Sequence, residues 1–153
     1  MKRFVVVDAT DQIVGRMASH VAKMLQEGWE VAIINAEKAV LSGDPRRVVK
    51  GYQILLDVKV HTNPYRNKIK RPRTPIGIVK DAVKGMLPKH NTKGREALKR
   101  LKVYIGEPAE VEERFKKEGY AKISFPDAKA VRLSGKYITV AEVAKRMGWR
   151  GEA

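Results

Sequence analysis

Residues 4–38 read FVVVDATDQIVGRMASHVAKMLQEGWEVAIINAEK. Phe4 to Val7 is a continuous apolar, β-branched run, the pattern of a strand covered on both faces, as in a parallel sheet. Asp8-Ala9-Thr10-Asp11 turns the chain. Gly15 to Gln26 then reads as a helix, because Val14, Ala18, Val21, Ala22 and Leu25 fall on one face and Gly28 supplies a stop. Val31 to Ile34 is a second buried strand, leading into Asn35-Ala36-Glu37-Lys38. Strand, helix and strand within about thirty residues make a βαβ unit, whose crossover is expected to be right-handed. The fold class is therefore α/β.

Working outward, Asp44 is a plausible N-cap with Pro45 at the first helical position. Val48, Val49, Tyr52, Leu55 and Leu56 recur at helical spacing, which predicts a helix over 45–57. Pro64 and Pro72 disfavour helix, and charges break any strand pattern, so 58–73 reads as an extended loop with a short edge strand near Val58 to Thr62. Thr74-Pro75 opens another helix with Val79, Ala82, Val83 and Met86 inward, closed by Leu87-Pro88. Thr92 leads the next, with Ala97, Leu98 and Leu101 inward. Lys102 to Ile105 is a short strand ended by Gly106. Residues 119–136 look irregular apart from a strand at Ala130 to Leu133. Thr139-Val140-Ala141-Glu142 has the form of a capping box and opens a last helix that stops at Gly148.

The 153 residues suit one domain with a true core, and no linker or internal repeat divides them. Hydrophobic content is 43%, charged content 32% and net charge +15, a globular chain with a strong excess of cations. That excess favours a polyanionic partner. No apolar run approaches a membrane span, and the apolar start at Phe4 is too short for a signal-peptide core, so a cytoplasmic protein without a membrane partner is expected. Cysteine is absent, which removes disulfides, thiol catalysis and thiolate zinc sites.

Between Asp57 and Asp81 there is no acidic residue, while Lys59, Arg66, Lys68, Lys70, Arg71, Arg73 and Lys80 crowd together. A one-signed run repels itself unless something polyanionic lies beside it. Arg66, Lys68, Lys70, Arg71 and Arg73 in an extended loop suit phosphate tracking, with Tyr65 placed to stack on an unpaired base. The bland alternative is a solvated basic loop. A second cluster, Lys89, His90, Lys93 and Arg95, lies at a helix start whose backbone N–H groups can also receive a phosphate. Lys99 and Arg100 extend it, with an ordinary polar helix face as the equal alternative. Arg16, Lys38, Arg46 and Arg47 are weaker candidates. Arg46 and Arg47 sit in a helix first turn, where the dipole prefers acids. Trp149 reads as a packing residue. From Glu107 to Glu118 the balance turns acidic, so this segment should face away from a polyanion or meet a basic neighbour.

Catalysis finds little support. Asp8 lies at the carboxyl end of a strand, with Asp11 three residues on, and a metal-assisted hydrolase, such as a nucleic-acid-processing enzyme, could use such a pair. Asp and Thr at such a junction are more often turn and cap residues. No phosphate-cradling glycine motif occurs, and His20, His61 and His90 match no metal-ligand spacing. No cofactor, metal or small-molecule substrate is expected.

Val83-Lys84-Gly85-Met86-Leu87-Pro88, then Gly94-Arg95, then Leu101-Lys102-Val103-Tyr104-Ile105-Gly106 resembles the signature of the large-subunit ribosomal protein L-thirteen family. Asp8-Ala9, Gly15-Arg16 with Ala18-Ser19, and Asn35-Ala36-Glu37-Lys38 with Leu41-Ser42-Gly43 agree with it. The tail from Phe125 through Ala128 and Val131-Arg132-Leu133 to Gly148-Trp149 is similar to the archaeal and eukaryotic branch. The likeness is weakest at 44–62 and 107–124. It implies a three-layer α/β/α fold around a small, mostly parallel sheet of about four strands, with the basic loop and helices within 59–102 and a C-terminal extension over 107–153. It implies a non-enzymatic structural subunit, ribosome-associated, whose partners are large-subunit ribosomal RNA and neighbouring ribosomal proteins. In that likeness Gly85, Met86, Leu87 and Pro88 shape a helix end, and Lys89, Lys93 and Arg95 beside them are the stronger RNA contacts. A free-standing RNA-binding translational regulator is the alternative.

Overall fold

Four parallel strands in the order β4-β2-β1-β5 form the sheet of the computed structural model, which describes residues 3–59, 61–66, 71–118 and 122–151. β1 (Phe4–Asp8) and β2 (Glu30–Ile34) are the central pair, with Val5 opposite Val31 and Val7 opposite Ile33. Both are apolar in almost every position because both of their faces are covered. α1 (Val14–Gln26) makes the crossover between them. Its buried stripe is the expected Val14, Ala18, Val21, Ala22 and Leu25, with Met17 added. Gly28, at φ +94°, lets the chain turn back. The N–H of Gly28 then bonds to the Leu25 carbonyl, and that of Trp29 to the Met24 carbonyl, the paired C-terminal closure that a left-handed residue permits.

The odd-numbered side chains of the strands face a large core built with α1, α3 (Pro75–Met86), α4 (Thr92–Lys99) and α6 (Val140–Arg146). The even-numbered ones, Phe4, Val6, Ala32 and Ile34, meet a much smaller core whose helical contribution is Val111 of α5 (Ala109–Glu118). The result is three layers of unequal weight, α/β/α. β4 (Leu101–Val103) is one sheet edge and β5 (Lys122–Ile123) the other. A separate antiparallel ribbon pairs β3 (Val40–Ser42) with β6 (Tyr137–Thr139). α2 (Pro45–Asp57) packs beside it and α6.

Several expectations need correction. Residues 109–118 are a helix rather than unassigned acidic chain. The strand expected at Ala130 to Leu133 is a single 3-10 turn over Ala130–Arg132, and the short strand lies earlier, at Lys122–Ile123. No strand forms among the described residues between Val58 and Thr62, and residue 60 lies outside the description. α2 spans the expected residues, but Asp44 makes no side-chain cap bond, and Leu55 faces solvent together with Ile54 and Val58. Met86 is exposed, and the buried stripe of α3 is Pro75, Ile78, Val79 and Val83. The cap of α4 is Asn91, whose Oδ1 accepts from the Lys93 N–H at 2.8 Å, and not Thr92. Thr74 and Thr139 do cap their helices, accepting from Gly77 and Glu142.

Candidate nucleic-acid interface

The segment 59–102 carries fourteen Lys and Arg residues against Asp81 and Glu96, while the two signs nearly balance in the rest of the chain. Structure decides which of these cations are free. Asn63–Arg66 is a turn, tightened by the Tyr65 N–H donating to Asn63 Oδ1 at 3.0 Å and the Arg66 N–H donating to the Asn63 carbonyl. It presents Tyr65 with 90% of its surface exposed. An aromatic ring held out in water beside Arg66 is available for stacking. Lys68 and Lys70 lie outside the described residues. Arg71 is half-buried and its Nε donates to the Leu55 carbonyl at 3.1 Å, so it fastens the loop to the end of α2. Arg73 is exposed just before the Thr74 cap.

α3 carries Lys80, the last cation of the one-signed run, and Lys84, which sequence reasoning did not single out. Lys80 and Lys84 are one helical turn apart, both exposed, and share a shallow cleft of about 290 Å³ with Arg71, Asp81 and Leu98. Their i, i+4 spacing was the available signal. Lys89, His90, Lys93 and Arg95 are all exposed around the start of α4. One of the backbone donors expected to receive a phosphate there, the Lys93 N–H, is already taken by Asn91. The turn itself is compact: Gly94 lies directly against Pro88, and Lys93, Gly94 and Asn91 line a second cleft with Gln26 and Arg100.

Lys99 is exposed, but Arg100 is half-buried and its Nη2 donates to the Leu25 carbonyl at 2.6 Å. A cation on the final carbonyls of α1 is stabilised by the helix dipole, so this side chain serves the fold. Arg16 stays exposed, but its Nη1 donates to the Asp127 carbonyl at 3.0 Å. Lys38, Arg46 and Arg47 are exposed. His20 stacks on Phe125 and bonds Asp127 at 2.7 Å, which holds the Asp127 carboxyl below its ordinary pKa. Trp149 packs against the large core.

The sheet's carboxyl end explains the acids. Asp8 Oδ1 accepts from the Thr10 N–H (3.0 Å), the Thr10 hydroxyl (2.7 Å) and Asn35 Nδ2 (3.1 Å). Burial pushes the Asp8 carboxyl up, but these bonds and the nearby Lys122 charge outweigh it and leave its pKa below the ordinary value. Asn35 is buried at φ +56°, a conformation Asn tolerates better than most residues. Its N–H donates to the Gly106 carbonyl, and the Gly106 N–H donates to Glu37 Oε2 at 3.1 Å. The sequence stretches around residues 8, 35 and 106 thus meet in one knot. Asp11 is exposed at φ +54° and stands apart from these bonds. Sequence reasoning also missed Gln12, fully buried, whose Oε1 accepts from the Phe125 N–H and ties the C-terminal segment to the start of α1.

The family model described as ribosomal protein L13 matches residues 2–110. The chain belongs to the ribosomal protein L13 family. Its relatives place it in the archaeal-type branch. It is 51% identical to the large ribosomal subunit protein uL13 of Saccharolobus solfataricus over 150 residues, covering 98% of this chain and 96% of that protein. It is 49% identical to the protein of the same name from Aeropyrum pernix over 150 residues, with 97% and 92% covered. With that of Archaeoglobus fulgidus the identity is 38% over 149 residues, with 97% and 90% covered. L13-family proteins are structural and non-enzymatic, so the hydrolase reading of Asp8 and Asp11 falls. In this L13-family chain Asp8 is a clamp at the sheet's end. The family match stops inside α5, yet β5, β6 and α6 complete the sheet edge, the ribbon and the core.

Proposed function

We propose that the protein is a structural constituent of the large ribosomal subunit, acting in the cytoplasm on ribosomes, and that it binds and stabilises large-subunit ribosomal RNA during assembly. The observation that carries this reading is the strong cation excess of segment 59–102, most of whose described Lys and Arg residues are exposed, in a chain of the L13 family. Tyr65, Arg66, Lys68, Lys70 and Arg73 would engage RNA from the loop, Lys80 and Lys84 from α3, and Lys89, His90, Lys93, Arg95 and Lys99 from α4. Neutralising phosphates releases counterions, and cations set on a rigid scaffold let RNA segments that repel each other lie side by side. Arg71 and Arg100 hold the surface in place more than they touch RNA. The whole chain works as one domain, with 107–153 completing the scaffold. Neighbouring ribosomal proteins are its other partners.

Salt dependence tests the interface. Replacing Arg66, Lys68, Lys70 and Arg73 by Ala should reduce the slope of log K against log salt by about 0.7–0.9 for each phosphate no longer neutralised. The fold should be unchanged by circular dichroism, because Arg71 is kept. An unchanged slope would assign the loop to solvated surface.

A further inference from the structure

The α5 side of the sheet is only partly covered. α5 lies over Phe4 and Val6 through Val111, with the Arg114 guanidinium 4.0 Å from the Phe4 ring and bonded to Glu30 at 2.7 Å. Beyond Arg114, toward the β4 edge, a groove of about 270 Å³ stays open. Its floor is Phe4, Val31 and Ala32, and its rims carry Lys99, Lys102, Tyr104 and Glu110.

Lys102 is the unusual member. Strand alternation buries Leu101 and Val103 in the large core and sends Lys102 to the opposite face, in register with Ala32. That is the face where Phe4 and Ala32 are buried, yet Lys102 is exposed and its side chain has no hydrogen-bond or ion-pair partner among the described residues. Lys99, at the end of α4, is equally unpartnered among them and stands on the same rim. An edge lysine also blocks strand pairing, but that role requires neither Lys99 nor an open groove. Tyr104 packs against the small core and is half-exposed. Glu110 stands across from the lysines, exposed and without a partner among the described residues, whereas Glu30 is neutralised by Arg114.

We propose that this groove is a second RNA subsite, taking one nucleotide of an unpaired strand. It deepens the RNA-binding reading above and rests on it. Lys99 and Lys102 bind the phosphate on the β4 rim, continuous with the cations of α4. The sugar and base lie inward along Tyr104. Glu110 repels a phosphate from the far wall and accepts from a ribose 2′-hydroxyl or a base amino group, which fixes the polarity of the strand across the groove. An acidic peptide would also satisfy the lysines, but the rim runs on through Lys99 into the cations of α4, a track for a continuous polyanion, so RNA is the better occupant.

The chain contains no cysteine, so Lys102→Cys, Arg73→Cys and Glu113→Cys each supply one thiol for a tethered hydroxyl-radical source. Each variant is bound to purified large-subunit ribosomal RNA and the strand breaks are mapped. Position 102 is expected to cut an unpaired segment different from the one cut from position 73, with position 113, on the outer face of α5, cutting weakly. Cutting from 73 and not from 102 would overturn the groove and leave the main interface standing, whereas cutting from neither would overturn both. Equal cutting from 102 and 113 would show no localised strand and also overturn it. A thiol at 102 that cross-links to a ribosomal protein in intact subunits, with no RNA cutting, would assign the groove to a protein and sink the proposal. In parallel, Lys99→Gln with Lys102→Gln should flatten the salt slope by about 0.7–0.9 per lysine, and an unchanged slope would contradict it.

Discussion

Gly94 and Pro88 touch so closely that a Cβ built on Gly94 would lie 1.9 Å from the Pro88 carbonyl oxygen. The obstacle is backbone, so no side-chain rotation relieves it. The contact closes the turn between α3 and α4 and sets where Lys89, His90, Lys93 and Arg95 point. Gly94→Ala should therefore destabilise by at least about 2 kcal/mol, seen as a fall of roughly 4–8 °C in Tm. RNA affinity should fall with it, because the turn must open. A Gly94→Ala protein with an unchanged Tm would show that the turn is not held this way.

Gly85, nine residues earlier in the chain, makes the contrast. It lies inside α3 with nothing within 4 Å of an added Cβ. Gly85→Ala should stabilise by about 0.5–1 kcal/mol through helix propensity alone. Thermal denaturation of the two variants side by side separates a glycine required for close approach from one that is not. Loss of stability in Gly85→Ala would mean that this face of α3 is covered by something else.

Arg100 should behave as a structural residue. Removing its bond to the Leu25 carbonyl by Arg100→Ala is expected to cost about 1.5–3 kcal/mol, the range for a charge-assisted hydrogen bond. The urea midpoint should drop, while RNA affinity, measured where the variant is still folded, should change far less than for the loop variant. The reverse pattern, full stability with weakened binding, would return Arg100 to the interface.

Asp8 gives the protein an acid-sensitive joint. Its carboxyl titrates lower in the folded state than in the unfolded chain, so its bonds to Thr10 and Asn35 contribute stability above the unfolded value near pH 3.9. That contribution is lost as pH falls through the lower folded value. Asp8→Asn should be less stable than the parent at pH 7, and the gap should narrow below about pH 4. Urea titrations at both pH values measure this. A gap that stays constant with pH would mean that the Asp8 charge is not what the joint uses.

The central βαβ unit was legible because Phe4–Val7 and Val31–Ile34 are buried on both faces and are written in unbroken apolar residues. The fold class and the three-layer plan followed from it and from the family likeness. α5 was not legible as a helix, since a single residue of it, Val111, is fully buried and Glu and Lys cover the rest. β5 is two residues long, and the β3–β6 ribbon joins positions about a hundred residues apart, so neither leaves a local pattern. Asn91 and Thr92 are both good caps by chemistry, and backbone geometry chose Asn91. The basic surface was legible as a charge run. The diversion of Arg71, Arg100 and Arg16 to carbonyls of Leu55, Leu25 and Asp127 was not, because each depends on a helix end or loop distant in sequence. Lys102 was hidden differently: its strand was expected, but which face it takes follows from the register with β2.

The central claim is that this chain is built into large ribosomal subunits. Sucrose-gradient fractionation of a native cell extract, probed for the protein at low and at high salt, tests it most directly. The protein is expected to travel with the large subunit and to stay there at moderate salt. Protein remaining at the top of the gradient even at low salt would contradict the claim, and a free-standing RNA-binding regulator would then be the better reading.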